Sequence, residues 1–403
     1  MIKKEFISNI ASELENLKSE GLYKAEYAIT SSQGPEVDII DQNGDKKSVL
    51  NFCANNYLGL ADDLQLREVA KKAIDKYGFG TASVRFICGT IDINQEFEKK
   101  MAEFLGYEDV ITYSSCFAAN NGVFAALFDK EDAIISADLN HASLIDGIRL
   151  SKAQRFFYKF DSMSDLEEKI KDALPTSKNR IIVTDGVFSM DGDIAKLKEI
   201  CDLAEKYDCM VLVDDCHATG FIGENGLGTI EHCEVLGRVD ILTSTLGKAL
   251  GGASGGFIAS RKEIIDKLRN KSRPYLFSNN TIACVSAVSL EILNRLKTSK
   301  DLIQKLADNT AYFRSKMVEA GFDVRKGVHP VAPIMLYDAK IASAMAKDLT
   351  ENEGIYVVAF SFPVVPKGEA RIRVQISAAH TKDHLDLAIA AFIRVGKKHK
   401  VIS

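Results

Sequence analysis

Between residues 109 and 260 the chain repeats one pattern, a short β-branched apolar run followed by a longer stretch of helical periodicity. The runs are "DVITYSS" (109–115), "DAIISAD" (132–138), "RIIVTDG" (180–186), "CMVLVDD" (209–215), "VDILTST" (239–245) and "GGFIAS" (255–260). Several lack the polar alternation of a half-exposed strand, so both their faces must be covered. Helical patterns at 140–151, 164–173 and 195–207 lie between them. This alternation predicts an α/β fold with a mostly parallel sheet wrapped by helices. After about residue 281 the rhythm changes to helices at 281–298 and 301–320, "VAPIMLY", a helix near 340–353, "IYVVAF", "ARIRVQIS" and a last helix from 381. That succession predicts a smaller C-terminal α+β domain. The expected division is an N-terminal helix and arm over 1–60, a large α/β domain over 61–290 and a small α+β domain over 291–403.

A chain of 403 residues exceeds what one compact core usually fills, so two packed domains are expected. The formal charge of -5 gives no electrostatic reason to expect nucleic acid or an anionic membrane as partner. No stretch stays apolar for the roughly 18 residues that a bilayer span needs. Near the N-terminus Phe6, Ile7, Ile10, Leu14 and Leu17 recur at helical intervals, while Glu5, Glu13, Glu15 and Glu20 are too many acids for a transit peptide. The segment reads as an amphipathic helix that docks on the fold or on a partner subunit. The eight cysteines are scattered without a C-x-x-C pair, so the thiols are expected to be reduced and the protein cytoplasmic.

In open α/β sheets ligands bind beyond the carboxyl ends of the strands. There the chain places Asp214, Asp215, Cys216 and His217 after "MVLV", Asp185 and Ser189 after "IIVT", Cys116 and Phe117 after "ITYSS", and Lys248 after "DILTST". A Walker A loop fails at both ends, with Leu242 in place of its first glycine and Ala249 in place of its hydroxyl. "GFGTAS" (78–83) and "GENGLG" (223–228) are poor dinucleotide fingerprints, and Asp215, Cys216, His217, His232 and Cys233 lack metal-ligand spacing, so no metal is expected. What remains is a lysine whose amine condenses with an aldehyde.

Pyridoxal 5'-phosphate is the common aldehyde cofactor, and it needs an acid to keep its pyridine nitrogen protonated. Asp214 suits that task. The phosphate needs helix-start N–H groups and hydroxyls, which "SSCF" (114–117) and Thr245 can offer, and the ring needs a flat partner such as His141. The five glycines around Lys248 (Gly247, Gly251, Gly252, Gly255, Gly256) read as room for the ring and for close backbone approach. A substrate carboxylate calls for a guanidinium. Arg371 and Arg373 face one side of a strand, and spacing does not choose between them.

"NFCANNYLGL" (51–60), "FGTASVRFICGT" (79–90), "YSSCF" (113–117), "NHASLIDGIRL" (140–150), "TDGVFSMDGD" (184–193), "VDDCHATGFIGENG" (213–226), "TLGKALGGASGG" (245–256), "SRPYLFSN" (272–279) and "VVPKGEARIRVQISAAHT" (364–381) follow one another along nearly the whole chain. Together they resemble the α-oxoamine synthases, pyridoxal-phosphate enzymes of fold type I that join an amino acid to an acyl-CoA. The resemblance implies an aspartate-aminotransferase-like fold with a seven-stranded-type sheet in the large domain. It implies that Lys248 carries the cofactor as a covalent aldimine and shuttles protons, that Asp214 pairs with the ring nitrogen, and that His217 bonds the phenolic oxygen. His141 would stack on the ring and meet the substrate, as would Ser189 near the phenolic oxygen. Backbone groups of Cys116 and Phe117, with Thr245, would hold the phosphate, and Ser278 and Asn279 would come from the neighbouring subunit of a homodimer with shared active sites. The family pattern points to Arg373, with Asn55, for the substrate carboxylate.

"ASVRFICGT", "SRPYLFSN" and "PVVPKGEARIR" are most similar to members that convert glycine and acetyl-CoA into 2-amino-3-ketobutyrate and CoA, with the reverse cleavage serving threonine breakdown. The alternative is a member that takes alanine and a longer acyl thioester. Cys216 stands where serine is frequent in the family and Thr219 where valine is common. Neither position needs a particular side chain in this chemistry.

Overall fold

The computed structural model describes residues 3–20, 23, 26–41 and 44–403. They fall into two compact units, Asn55–Leu306 and Met1–Ala54 together with Ala307–Ser403. The edges lie at 54/55 and 306/307, where the sequence expectation put 60/61 and 290/291.

In the unit Asn55–Leu306, strands β1 (Asp109–Tyr113), β2 (Ala133–Ala137), β3 (Gln154–Tyr158), β4 (Arg180–Asp185), β5 (Met210–Asp214), β6 (Ile241–Thr245) and β7 (Gly256–Ser260) form one sheet. Their order is β1-β7-β6-β5-β4-β2-β3. β7 runs antiparallel to β6 and β1, and every other pairing is parallel. The α/β class and the mostly parallel seven-stranded sheet are thus those the sequence leads one to expect. Ile134, Ile181, Val183, Leu212, Ile241 and Ile258 are wholly buried in one core cluster, which is why these runs carry no polar alternation. β3 is not announced by the sequence pattern. It lies at the sheet edge, alternates in exposure along Gln154–Tyr158, and leaves Phe157 half exposed.

Helices α1 (Cys116–Leu127), α2 (Ala142–Leu150), α3 (Met163–Ala173) and α4 (Leu197–Lys206) connect these strands. Side chains start three of them: Ser115 accepts from the Ala118 N–H, His141 from Ser143 and Ser162 from Asp165. α4 buries Leu197, Ile200, Cys201 and Ala204, the i, i+3, i+4, i+7 stripe of a sheet-covering helix. Each such aliphatic side chain contributes about 1.5–3 kcal/mol when fully buried. α2 lies close against α1, because a Cβ at Gly147 would stand 2.4 Å from the Asn120 carbonyl oxygen.

In the other unit, Lys46–Asn51 pairs antiparallel with Glu36–Ile40 and parallel with Ile355–Tyr356. This shared sheet ties the N-terminal segment to the C-terminal one. A second sheet sets Ala370–Gln375 between Val331–Tyr337 and Val358–Phe360, all antiparallel. Lys382–Lys398 lays Leu385, Ala388, Phe392 and Val395 inward. The Lys4–Ser19 helix forms as its spacing predicts, but no residue of it is buried and Phe6 stays 61% exposed. The described residues of this chain therefore do not bury the apolar face of this helix. No helix among the described residues is long and apolar enough to cross a membrane.

Gly147→Ala forces a backbone atom of α1 to move, and overpacking of this kind costs about 1–3 kcal/mol. A lower denaturant midpoint at unchanged slope is the expected outcome.

Candidate active site

β4, β5 and β6 are paired so that Asp214 stands opposite Asp185 on one side and Thr243 on the other. Just past their carboxyl ends lies a cavity of about 200 Å³. Cys116, Phe117, His141, Ser189, Asp214, His217, Thr245 and Lys248 all line it. Eight of the residues singled out from the sequence are thus brought to one place. Asn55 does not line the cavity, and Ser278 and Asn279 are exposed in the loop after Arg273–Leu276. Arg373 belongs to the other unit.

Asp214 is buried, and its carboxylate is held by donors rather than by a cation. Asn120 Nδ2 donates to Oδ2 at 2.6 Å, and the Cys216 N–H donates to Oδ1 at 3.0 Å. The same Asn120 amide donates to Ser143 Oγ at 2.9 Å, which fixes its orientation. Asp185, across the strand pairing, accepts the His141 N–H at 2.9 Å through Oδ2. Burial first, then the neighbouring Asp214 charge, pushes its carboxyl well above the ordinary carboxylate range.

The two imidazoles are oriented in different ways. His217 is buried with Nδ1 2.7 Å from the Tyr57 hydroxyl. When that hydroxyl donates, Nε2 is the nitrogen that carries the proton. His141 accepts the Ser143 N–H at Nδ1, 3.2 Å away, which likewise leaves the proton of its neutral form on Nε2. Desolvation lowers the His141 pKa below its usual value, the Asp214 charge opposing and the Lys248 charge assisting. The same Lys248 charge acts on Asp185 and Cys216, and all three residues line the cavity.

Asp215 faces away from the cavity and is wholly buried. Thr219 Oγ1 donates to its Oδ2 at 2.7 Å, and the Thr229 N–H and hydroxyl donate to Oδ1. Thr219, a departure from the family pattern, is therefore used. Burial outweighs these donors and pushes the Asp215 carboxyl up to about 7.

These residues fit pyridoxal phosphate on the geometry alone. The first turn of the 12-residue helix α1 and the Thr245 hydroxyl open on the cavity, the place for a dianion. A Cβ at Gly256 would stand 2.2 Å from the Cys116 nitrogen, so only glycine lets β7 pass that close behind this turn. Gly251 and Gly252 act elsewhere. Both have positive φ, and their Cβ positions face Ile292 and Ala61 at 3.1 Å, so they serve a turn and packing instead of making room for a ring.

Asn120 and Tyr57 carry no role in the sequence reading. Asn120 lies one turn after Cys116 on a helix already expected there, so i, i+4 geometry was a usable signal. Tyr57 is 160 residues from His217, and no local pattern links them.

Two outcomes follow from these contacts. Asn120→Ala removes a charge-assisted hydrogen bond of about 1.5–3 kcal/mol, so cofactor affinity, measured by fluorescence titration, falls by about tenfold or more. Asp215 has its pKa raised from 3.8 to about 7 on folding, so its folded form keeps a proton that the unfolded chain releases. The stability it contributes is therefore present at low pH and lost as pH rises through about 7. The melting temperature of the unmodified protein relative to Asp215→Asn falls over that window, as calorimetry at a series of pH values will read.

Comparison with known proteins agrees with the geometry. Residues 47–392 match the model of the class I and II aminotransferases. The 2-amino-3-ketobutyrate coenzyme A ligase of Escherichia coli K12 is 52% identical over 400 residues, 99% of each chain. The 8-amino-7-oxononanoate synthase of Thermosipho melanesiensis is 47% identical over 395 residues, 98% of this chain and 99% of its own. A solved structure of SPT with its PLP internal aldimine superposes with a TM-score of 0.92 at 28% identity, covering 100% of both chains. This chain belongs to the class I and II aminotransferase family, in its α-oxoamine synthase branch.

Proposed function

We propose that this protein is a pyridoxal-phosphate-dependent glycine C-acetyltransferase. It joins glycine and acetyl-CoA into 2-amino-3-ketobutyrate and CoA, and runs the reverse CoA-dependent cleavage of threonine breakdown. The observation that carries this reading is the 52% identity, over 99% of each chain, with a 2-amino-3-ketobutyrate coenzyme A ligase. Its setting is the cytoplasm, and its assembly a homodimer with shared active sites, in which Ser278 and Asn279 serve the phosphate of the neighbouring subunit.

When bound, pyridoxal phosphate supplies a carbonyl for an amine and a ring that draws off an electron pair. Lys248 Nζ would be the amine that holds this carbonyl and, once free as a base, the group that takes the α-proton of glycine. Asp214, braced by Asn120 and the Cys216 N–H, would keep the ring nitrogen protonated. His217, with Tyr57 at Nδ1, would have Nε2 left to bond the phenolic oxygen. His141, its pKa lowered, offers a neutral face to the ring, and Ser189 meets the phenolic oxygen and the substrate. The Cys116 and Phe117 N–H groups and Thr245 bind the phosphate.

For the substrate carboxylate the reading takes Arg373 with Asn55. Arg371 is wholly buried and tied to Glu369, with Nη2 2.9 Å from Oε2 and Nε 2.9 Å from the carbonyl oxygen. Arg373 is only half-buried and lies over the Phe360 ring, 4.9 Å from its centroid. That contrast supports Arg373.

The resemblance to an 8-amino-7-oxononanoate synthase keeps a second reading specific: alanine with a pimeloyl thioester. Thiol release from each donor pair decides between them. Glycine with acetyl-CoA is the expected preferred pair, and Lys248→Ala lowers its turnover by about 10²–10⁴-fold or more. A preference for alanine with the pimeloyl thioester overturns the assignment.

A further inference from the structure

Two thiols stand beside the carboxylate assigned to the ring nitrogen. Cys116 opens α1 and is buried, and Cys216 follows the end of β5 and is half-buried. Cys116 Sγ lies 4.0 Å from Asp214 Oδ2, and both sulfur atoms and an Asp214 oxygen lie within 4.8 Å of one another. All three residues line the cavity, so the cluster has an entry path. Next to it, on the paired strand β6, the wholly buried Thr243 hydroxyl faces the Cys116 thiol.

Two thiolates and a carboxylate are donors for a borderline or soft cation such as Zn²⁺ or Cd²⁺, and poor ones for Mg²⁺. Bond lengths of about 2.3 Å to sulfur and 2.0–2.2 Å to oxygen place tetrahedral donors less than about 4 Å apart. The cluster reaches that spacing by contracting about an ångström. Serine at 216, the residue frequent in the family, would leave one thiol, so the pair is a property of this chain.

We propose that Cys116, Cys216 and Asp214 form a site for one thiophilic divalent cation, whose binding withdraws Asp214 from the ring nitrogen and so opposes pyridoxal phosphate. The cation replaces the two thiol protons with two metal–sulfur bonds, and both protons leave to solvent. No electron is transferred. The site rests on its three donors alone, and the antagonism rests on the role given to Asp214 under the proposed function.

Holoenzyme dialysed against Cd²⁺ at increasing pyridoxal phosphate, with Mg²⁺ as the hard-cation comparison, tests this. The expected result is one bound Cd²⁺ per chain that Cys216→Ser loses or binds at least tenfold more weakly, while Cys88→Ser keeps it. Binding releases about two protons, Mg²⁺ does not substitute, and the Cd²⁺ affinity falls as pyridoxal phosphate rises. Cys216→Ser that holds Cd²⁺ as tightly as the unmodified protein, or a Cd²⁺ affinity indifferent to pyridoxal phosphate, overturns the proposal. Should the variant fold poorly, alkylation mapping of the unmodified protein serves: Cd²⁺ protects Cys116 and Cys216, and equal labelling with and without it is the contrary result. A protein that meets these results yet shows no glycine-dependent acetyl transfer contradicts the functional reading only.

Discussion

The pairing register of β4, β5 and β6 is the constraint on which the rest of the site depends. It sets Asp185, Asp214 and Thr243 side by side at the carboxyl edge of the sheet. A slip of one residue would turn each of these side chains to the opposite face. Register is secured by burial on both faces, since Ile181, Val183, Leu212 and Ile241 have no solvent side to turn toward. Fold stability and the alignment of the polar groups at the cavity therefore share one source, the close-packed strands under the pocket.

The charges are then sorted by their surroundings. Asp214 receives a side-chain amide and a backbone N–H, the two donors that suit a carboxylate facing a pyridinium. Asp185 has one backbone donor and is buried beside the Asp214 charge, and burial and that charge both raise its pKa, burial more than the charge. Asp215 binds two threonines and pins the chain around Thr229 to the turn after β5. Three carboxyls at the ends of two adjacent strands thus meet three different surroundings, distinguished by burial and donors.

Much of this was legible in the sequence. Unalternating apolar runs disclosed six of seven strands, and strand ends disclosed Asp214, His217 and Lys248, because period and position are local properties of the chain. What stayed hidden depends on long-range packing. β3 carries an alternating edge pattern too short to stand out, Tyr57 reaches His217 across 160 residues, and the glycines at 251 and 252 face helix and loop neighbours that no local pattern names. The choice between Arg371 and Arg373 shows the same limit. Alternation puts both on one strand face, whereas only packing reveals that Glu369 occupies the first. The pairing of Cys116 with Cys216 is likewise invisible until α1 and the end of β5 meet.

The central claim is that Lys248 is the residue that carries pyridoxal phosphate, opposite Asp214. Mass mapping of peptides from borohydride-treated holoenzyme tests it most directly. The pyridoxyl mass on the peptide containing Lys248, and on no other lysine, is the predicted result. Label on a different lysine, or none in protein that contains the cofactor, would contradict it.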